Sequence, residues 1–155
     1  MTINRASKAG ERRGKQALLR LSVLLLFLAL LPSCSEPPYT NLDNAQLQTM
    51  LDQNVPLYDV RLPQEWHQTG VIEGSRQLTF IDNAGRVRPD FFSRFSTEVG
   101  KDDPVIVICH SGSRTRTLAY HLVEQMGYTQ VFNVRKGINR WISEQRPVKH
   151  LASQS

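Results

Sequence analysis

The sequence predicts an α/β domain built on a mostly parallel central sheet with helices on both faces. Three observations predict it. Val105-Ile-Val-Ile-Cys109 is apolar at every position, the pattern of a central parallel strand covered on both sides. Strand-length apolar runs alternate with helix-length amphipathic runs along the chain. The junctions carry turn and cap residues, among them Gly70, Gly85, Gly112 and Gly127.

The elements follow in order. Asp43 or Asn44 can cap a helix through Asp52, with Leu47, Met50 and Leu51 on one face. Val55–Val60 reads as a short strand. Gln64–Gln68 reads as one helical turn ended by Gly70, and Arg76–Phe80 as a second short strand. Asn83-Ala84-Gly85 is a turn. Pro89 suits the first turn of a helix to which Phe91, Phe92 and Phe95 add apolar bulk. After the central strand, His110–Ser113 forms a short turn into a helix over Arg114–Met126. Its stripe is Leu118, Ala119, Leu122, Val123 and Met126, and Gly127 caps it. Val131–Val134 is the next strand. Gly137 precedes a last helix through Glu144, and Pro147 ends the domain.

The 155 residues allow one modest domain with a real core. The net charge of +5 is concentrated in residues 1–33, which hold six basic residues against Glu11. The remainder holds 13 of each sign and is neutral, so the basic balance does not point to nucleic acid. The basic stretch to Arg20 precedes an 11-residue apolar run, Leu21–Leu31. A membrane span needs about 20 apolar residues, whereas a signal-peptide core needs about 7–15. Leu31-Pro32-Ser33-Cys34 resembles the bacterial lipoprotein signal box, which implies a diacylglycerol on Cys34 and cleavage before it. Ser35, by resemblance to the Gram-negative sorting rule, favours the outer membrane, on its periplasmic side. The expected organisation is a signal peptide over 1–33, a lipidated cysteine and polar tether over 34–41, a domain over 42–147 and a tail over 148–155.

With Cys34 lipidated, Cys109 is the remaining thiol. An unpaired cysteine in an oxidising compartment is either a small buried hydrophobe or a functional group. Cys109 ends the central strand, at the edge where open α/β sheets bind ligands. The loop after it opens a helix whose first N–H groups and positive dipole end point back at the sulfur, a setting that favours a thiolate. His110 and Arg114 flank the same loop.

Tyr58-Asp-Val-Arg61 with Glu65, Gly70–Gly74, Cys109-His-Ser-Gly-Ser-Arg114, Gly127-Tyr128 and Asn133–Trp141 together resemble a single rhodanese domain over residues 55–147. The resemblance implies a rhodanese-like fold and a six-residue loop, Cys109–Arg114. It implies Cys109 as nucleophile and persulfide carrier, with the backbone N–H groups of His110, Ser111, Gly112, Ser113 and Arg114 holding the sulfur. The expected reaction takes a sulfane sulfur from a thiosulfate-like donor to cyanide or a thiol, without metal or organic cofactor. Two features depart from the family pattern: His110 stands where Arg is common, and Glu73 where Pro is common.

Cysteine-dependent phosphatases place Arg six positions after Cys, for a wider phosphate cradle. Position 115 is Thr, so that reading is disfavoured. A binding or sulfur-relay module with a protein donor or acceptor, and a thiol redox sensor, remain as alternatives. Asp59 could orient Arg114 or the loop, and Arg61 could pair with Glu65. A buried network fixing the strand-to-helix turn is the competing reading for both. Trp66 and Trp141 read as packing. His67, His121 and His150 lack metal-ligand spacing.

Overall fold

The computed structural model describes residues 36–152. The leader and Cys34 lie outside them. Five strands form one sheet: β1 Thr40–Leu42, β2 Leu57–Asp59, β3 Arg76–Gln77, β4 Val105–Ile108 and β5 Val131–Val134. The order across the sheet is β1-β5-β4-β2-β3, and every pair is parallel. Four helices connect them, α1 Asn44–Asp52, α2 Pro63–Thr69, α3 Phe91–Glu98 and α4 Ser113–Glu124, and α5 Gly137–Ser143 follows the last strand.

β4 is central and fully buried, as its unbroken apolar run requires. Its side chains alternate between two cores. Val105, Val107 and Cys109 face the core that holds Phe91 and Phe95 of α3 and Leu118 and Leu122 of α4. Ile106 and Ile108 face the other, with Leu47 of α1 and Ile138 and Trp141 of α5. The period-two pleat therefore delivers Cys109 to the face that α4 covers.

Several local expectations hold. Asp43 caps α1, and its carboxylate accepts the Gln46 N–H at 2.8 Å. At Gly127, φ is +72°, and Tyr128 N–H donates to Leu122 C=O at 3.0 Å, closing α4. Trp141 is buried and donates to Pro147 C=O at 2.9 Å.

Others shift. The polar stretch expected as a tether contributes β1. Thr40, Asn41 and Leu42 pair with Phe132, Asn133 and Val134, and the Asn133 amide donates to Asn41 Oδ1 at 2.8 Å. A three-residue edge strand, with Leu42 its one buried apolar position, offers too short a pattern to be read as β. At the other end the chain stays engaged past Pro147, through the antiparallel bridge between Val71 and Lys149. Pro89 precedes the helix: Asp90 is its N-cap and Phe91 its first residue. β3 is only two residues long, although Leu78 and Phe80 N–H still donate to the Asp59 and Val60 carbonyls at 3.1 and 3.2 Å.

Candidate functional site

Cys109 follows β4 at the carboxyl edge of the sheet and is fully buried. The loop behind it is held from outside by α5. Ile138 N–H donates to Cys109 C=O at 2.9 Å, and Asn139 N–H to His110 C=O at 3.1 Å. These bonds pin the first two loop carbonyls away from the sulfur. The approach is so close that a Cβ at Gly137 would lie 2.4 Å from both carbonyl oxygens, and φ there is +59°. Gly112 serves the opposite side. Its φ is +87°, and a Cβ would lie 2.1 Å from Arg135 C=O.

With Gly112 in that left-handed turn, its N–H donates to Cys109 Sγ at 3.2 Å. Gly112 is the N-cap of α4, and the first intrahelical bond is Arg116 N–H to Gly112 C=O at 3.1 Å. The N–H groups of Ser113 and Arg114 thus open the helix without intrahelical acceptors. Thr115 Oγ1 is the second polar atom on the sulfur, at 3.5 Å, and Thr115 is fully buried. Sequence reasoning used position 115 only to disfavour a phosphatase. Its place at the third residue of α4 (one turn above the sulfur) was the signal available.

Arg114 is engaged elsewhere. Its two terminal nitrogens grip Glu65 of α2, Nη1 to Oε2 at 2.7 Å and Nη2 to Oε1 at 2.5 Å. The same carboxylate accepts the Leu62 N–H at 2.9 Å, so it caps α2 and holds Arg114 together. Burial pushes the Glu65 carboxyl up, but the Arg114 hydrogen bonds, the Leu62 N–H and the neighbouring guanidinium charges hold it below the usual carboxylate range. The bonds to Glu65 outweigh burial at Arg114 and raise its affinity for its proton. His110 is half exposed, with Nδ1 3.7 Å from Glu65 Oε1. Ser111 and Ser113 are exposed.

The expected partnerships of Asp59, Arg61 and Glu65 are therefore exchanged. Asp59 does not reach Arg114: it pairs with Arg61, Nη2 to Oδ2 at 2.7 Å and Nε to Oδ1 at 2.9 Å, with both side chains buried. Arg61 in turn donates to Thr69 Oγ1 at 2.6 Å and Gly70 C=O at 2.7 Å, tying β2 to the C-terminal end of α2. With Glu65 it shares only a 3.3 Å bond to the backbone carbonyl. Asp59 and Arg61 form a buried network at the strand-to-helix turn. Glu65 joins it only through its backbone carbonyl, and its carboxylate reaches Arg114 at the end of the cysteine loop instead. The physical reason is helical direction. Glu65 is the third residue of α2, where its side chain points back over the N-terminus toward the carboxyl edge of the sheet.

No group of three or more His, Cys, Asp or Glu able to hold a metal occurs among the described residues. Trp66 is half-buried, and its Nε1 has no partner among the described residues.

The family model of the rhodanese-like domain matches residues 43–144. The chain belongs to the rhodanese-like family. Among curated relatives, the thiosulfate sulfurtransferase GlpE of Glaesserella parasuis is 36% identical over 58 residues. The match spans 37% of this chain and about half, 53%, of that protein. The thiosulfate sulfurtransferase GlpE of Pseudoalteromonas translucida is 31% identical over 104 residues, covering 66% of this chain and 89% of the relative. Among solved structures, Rv0390 of M. tuberculosis superposes with a TM-score of 0.62 at 22% identity, covering 73% of this chain and 99% of that one. This likeness concerns the fold. Within the rhodanese-like domain, the Cys109–Arg114 loop brings the Gly112 N–H and the Thr115 hydroxyl onto a buried cysteine sulfur and clamps Arg114 to Glu65.

Proposed function

We propose that this rhodanese-like protein is a sulfurtransferase that carries a sulfane sulfur on Cys109. The observation that carries the reading is the Gly112 N–H on Cys109 Sγ, in a loop whose first carbonyls are turned away by Ile138 and Asn139. Fixed N–H dipoles around a buried sulfur favour an anion there and need no reorganisation during reaction.

The thiolate attacks the sulfane sulfur of a donor such as thiosulfate. The donor S–S bond breaks and sulfite leaves with the electron pair. The terminal sulfur of the resulting persulfide is then taken by cyanide or a thiol, and Cys109 leaves as thiolate. Two half-reactions through a covalent intermediate require ping-pong kinetics. Because Arg114 is neutralised by Glu65, the loop N–H groups and the partly exposed His110 carry the attraction for the donor. The resemblance of the two GlpE relatives supports thiosulfate as the first donor to try.

The same proposal places the protein in a bacterial envelope, held through a lipid on Cys34, on the periplasmic side and favouring the outer membrane. Its support is the basic stretch, the 11-residue apolar run and Leu31-Pro32-Ser33-Cys34. No helix among the described residues is long and apolar enough to cross a membrane. Replacing Cys34 with Ala should leave the mature lipid mass and the cleavage before residue 34 both absent. A variant that differs from wild type only by the sulfur lost in the substitution refutes the anchor.

The test of the catalytic reading is intact mass spectrometry of the full-length chain after thiosulfate, before and after cyanide, beside Cys109→Ser. Gain of one sulfur on wild type only, removed by cyanide, is the expected result. A reduced, accessible Cys109 that gains no sulfur overturns thiosulfate as donor and returns the protein to the relay or redox-sensing readings.

A further inference from the structure

We propose that Thr115 is a catalytic residue of the discharge half-reaction, its hydroxyl donating to Cys109 Sγ as that sulfur leaves as a thiolate. The proposal rests on the sulfurtransferase reading and assigns a role inside it to a side chain outside the six-residue loop.

The geometry gives the hydroxyl two neighbours and one proton. Thr115 Oγ1 lies 3.5 Å from Cys109 Sγ and 3.3 Å from Gly112 C=O, in a fully buried position. Beside a protonated thiol, the S–H can donate to Oγ1 while the hydroxyl donates to the Gly112 carbonyl. Beside a sulfur anion, the hydroxyl proton is drawn to Sγ, because a bond to a charged acceptor is the stronger one. Turning away leaves nothing orphaned: Gly112 C=O keeps the Arg116 N–H at 3.1 Å. The hydroxyl is thus a donor that follows the charge on Sγ, beside the fixed Gly112 N–H at 3.2 Å.

Charge on Sγ changes in opposite senses in the two halves. In loading, the Cys109 thiolate forms a bond to the donor's sulfane sulfur, and its charge falls as sulfite leaves. In discharge, cyanide attacks the terminal sulfur. The persulfide S–S bond breaks, thiocyanate forms and the electron pair returns to Sγ. An interaction that strengthens as charge grows on Sγ stabilises the transition state over the ground state only in discharge. In loading the same bond is strongest at the start, so losing it does not raise that intrinsic barrier.

The experiment measures both halves in single turnover with the full-length chain in detergent. Loading is followed as the mass gain of one sulfur with thiosulfate. Discharge is followed as thiocyanate release from the isolated persulfide with cyanide. Thr115→Val removes the hydroxyl and keeps the branched shape, whereas Thr115→Ser keeps the hydroxyl. The valine variant should discharge about tenfold more slowly while its loading changes less than about threefold. The serine variant should recover discharge to within about threefold of wild type. If the valine variant folds poorly, Thr115→Ser against Thr115→Ala carries the same comparison. Equal slowing of both halves, unchanged discharge, or no recovery with serine overturns the role of Thr115. Absence of any sulfur adduct on wild type instead overturns the sulfurtransferase reading beneath it.

Discussion

Asp59→Ala tests the energetic arrangement that places Glu65 beside the cysteine loop. The Arg61 guanidinium is fully buried and spends its strongest contacts on Asp59, at 2.7 Å from Nη2 and 2.9 and 3.0 Å from Nε. Removing the carboxylate leaves a buried cation with only the Thr69 hydroxyl and the Gly70 and Glu65 backbone carbonyls as acceptors. Breaking a buried pair on one side costs about 3–5 kcal/mol. Domains of this size are stable by only about 5–15 kcal/mol. With a urea dependence of about 1–3 kcal/mol per molar, the midpoint followed by Trp66 and Trp141 emission should fall by roughly 2 M. Asp59→Ala with Arg61→Met should recover much of that loss, because replacing both charges with apolar groups costs far less than orphaning one. Sulfur loading should fall in the single variant at urea-free conditions, since Arg61 also fixes the α2 turn that carries Glu65. A midpoint shift equivalent to under about 1 kcal/mol would show that the pair behaves as a solvated surface bridge and would refute the reasoning.

Gly137→Ala should depress loading of Cys109 by about 100-fold, with helix content by circular dichroism retained, because the new Cβ would push the Cys109 and His110 carbonyls off their α5 donors. Glu65→Gln should destabilise the protein at neutral pH but not in acid. A carboxyl held below its ordinary value contributes stability that is fully present above about pH 4.3 and lost as pH falls through its lower folded value. The urea midpoints of wild type and variant should converge on going to low pH, and a constant gap contradicts the assignment. Arg135 and Lys136 make no ion pair among the described residues, and Arg135 C=O lies against Gly112. Arg135→Glu with Lys136→Glu should raise the KM for thiosulfate by about tenfold at low ionic strength. The effect should fade as salt screens it, as initial rates across a chloride series will show.

The parts of the fold legible in the sequence are those governed by local pattern. β4 was readable because burial on both faces leaves no polar position. α1 and α4 were readable because a cap and a 3.6-residue stripe coincide. β1 was not, since its pairing with β5 is decided by a partner about ninety residues away and by one Asn–Asn hydrogen bond. The same limit applied at the site. Cys109 and its loop are contiguous, so spacing revealed them. The exchange of partners among Asp59, Arg61, Glu65 and Arg114 was hidden, because charges close in sequence gave no sign that a carboxylate on α2 would reach a residue 49 positions away.

That exchange alters what the loop can recognise. An unopposed arginine at its end would offer a charged fork suited to a tetrahedral oxyanion. Here the fork is occupied on both nitrogens by Glu65, in a geometry that leaves Arg114 about one-fifth exposed. A large dianion gripping Arg114 would have to displace a carboxylate that also caps α2. A single sulfur carried on Cys109 meets no such cost, because the groups already on Cys109 Sγ are the Gly112 N–H and the Thr115 hydroxyl, and neither is tied to Glu65. Glu65→Gln therefore separates two ideas of Arg114. If the guanidinium is chiefly a structural clamp, the variant loads sulfur more slowly and gains no affinity for thiosulfate. If Arg114 is a donor-binding group held in reserve, the variant shows a lower KM despite reduced stability. The bidentate contact and the Leu62 cap favour the clamp, so a KM drop of more than about threefold would overturn it.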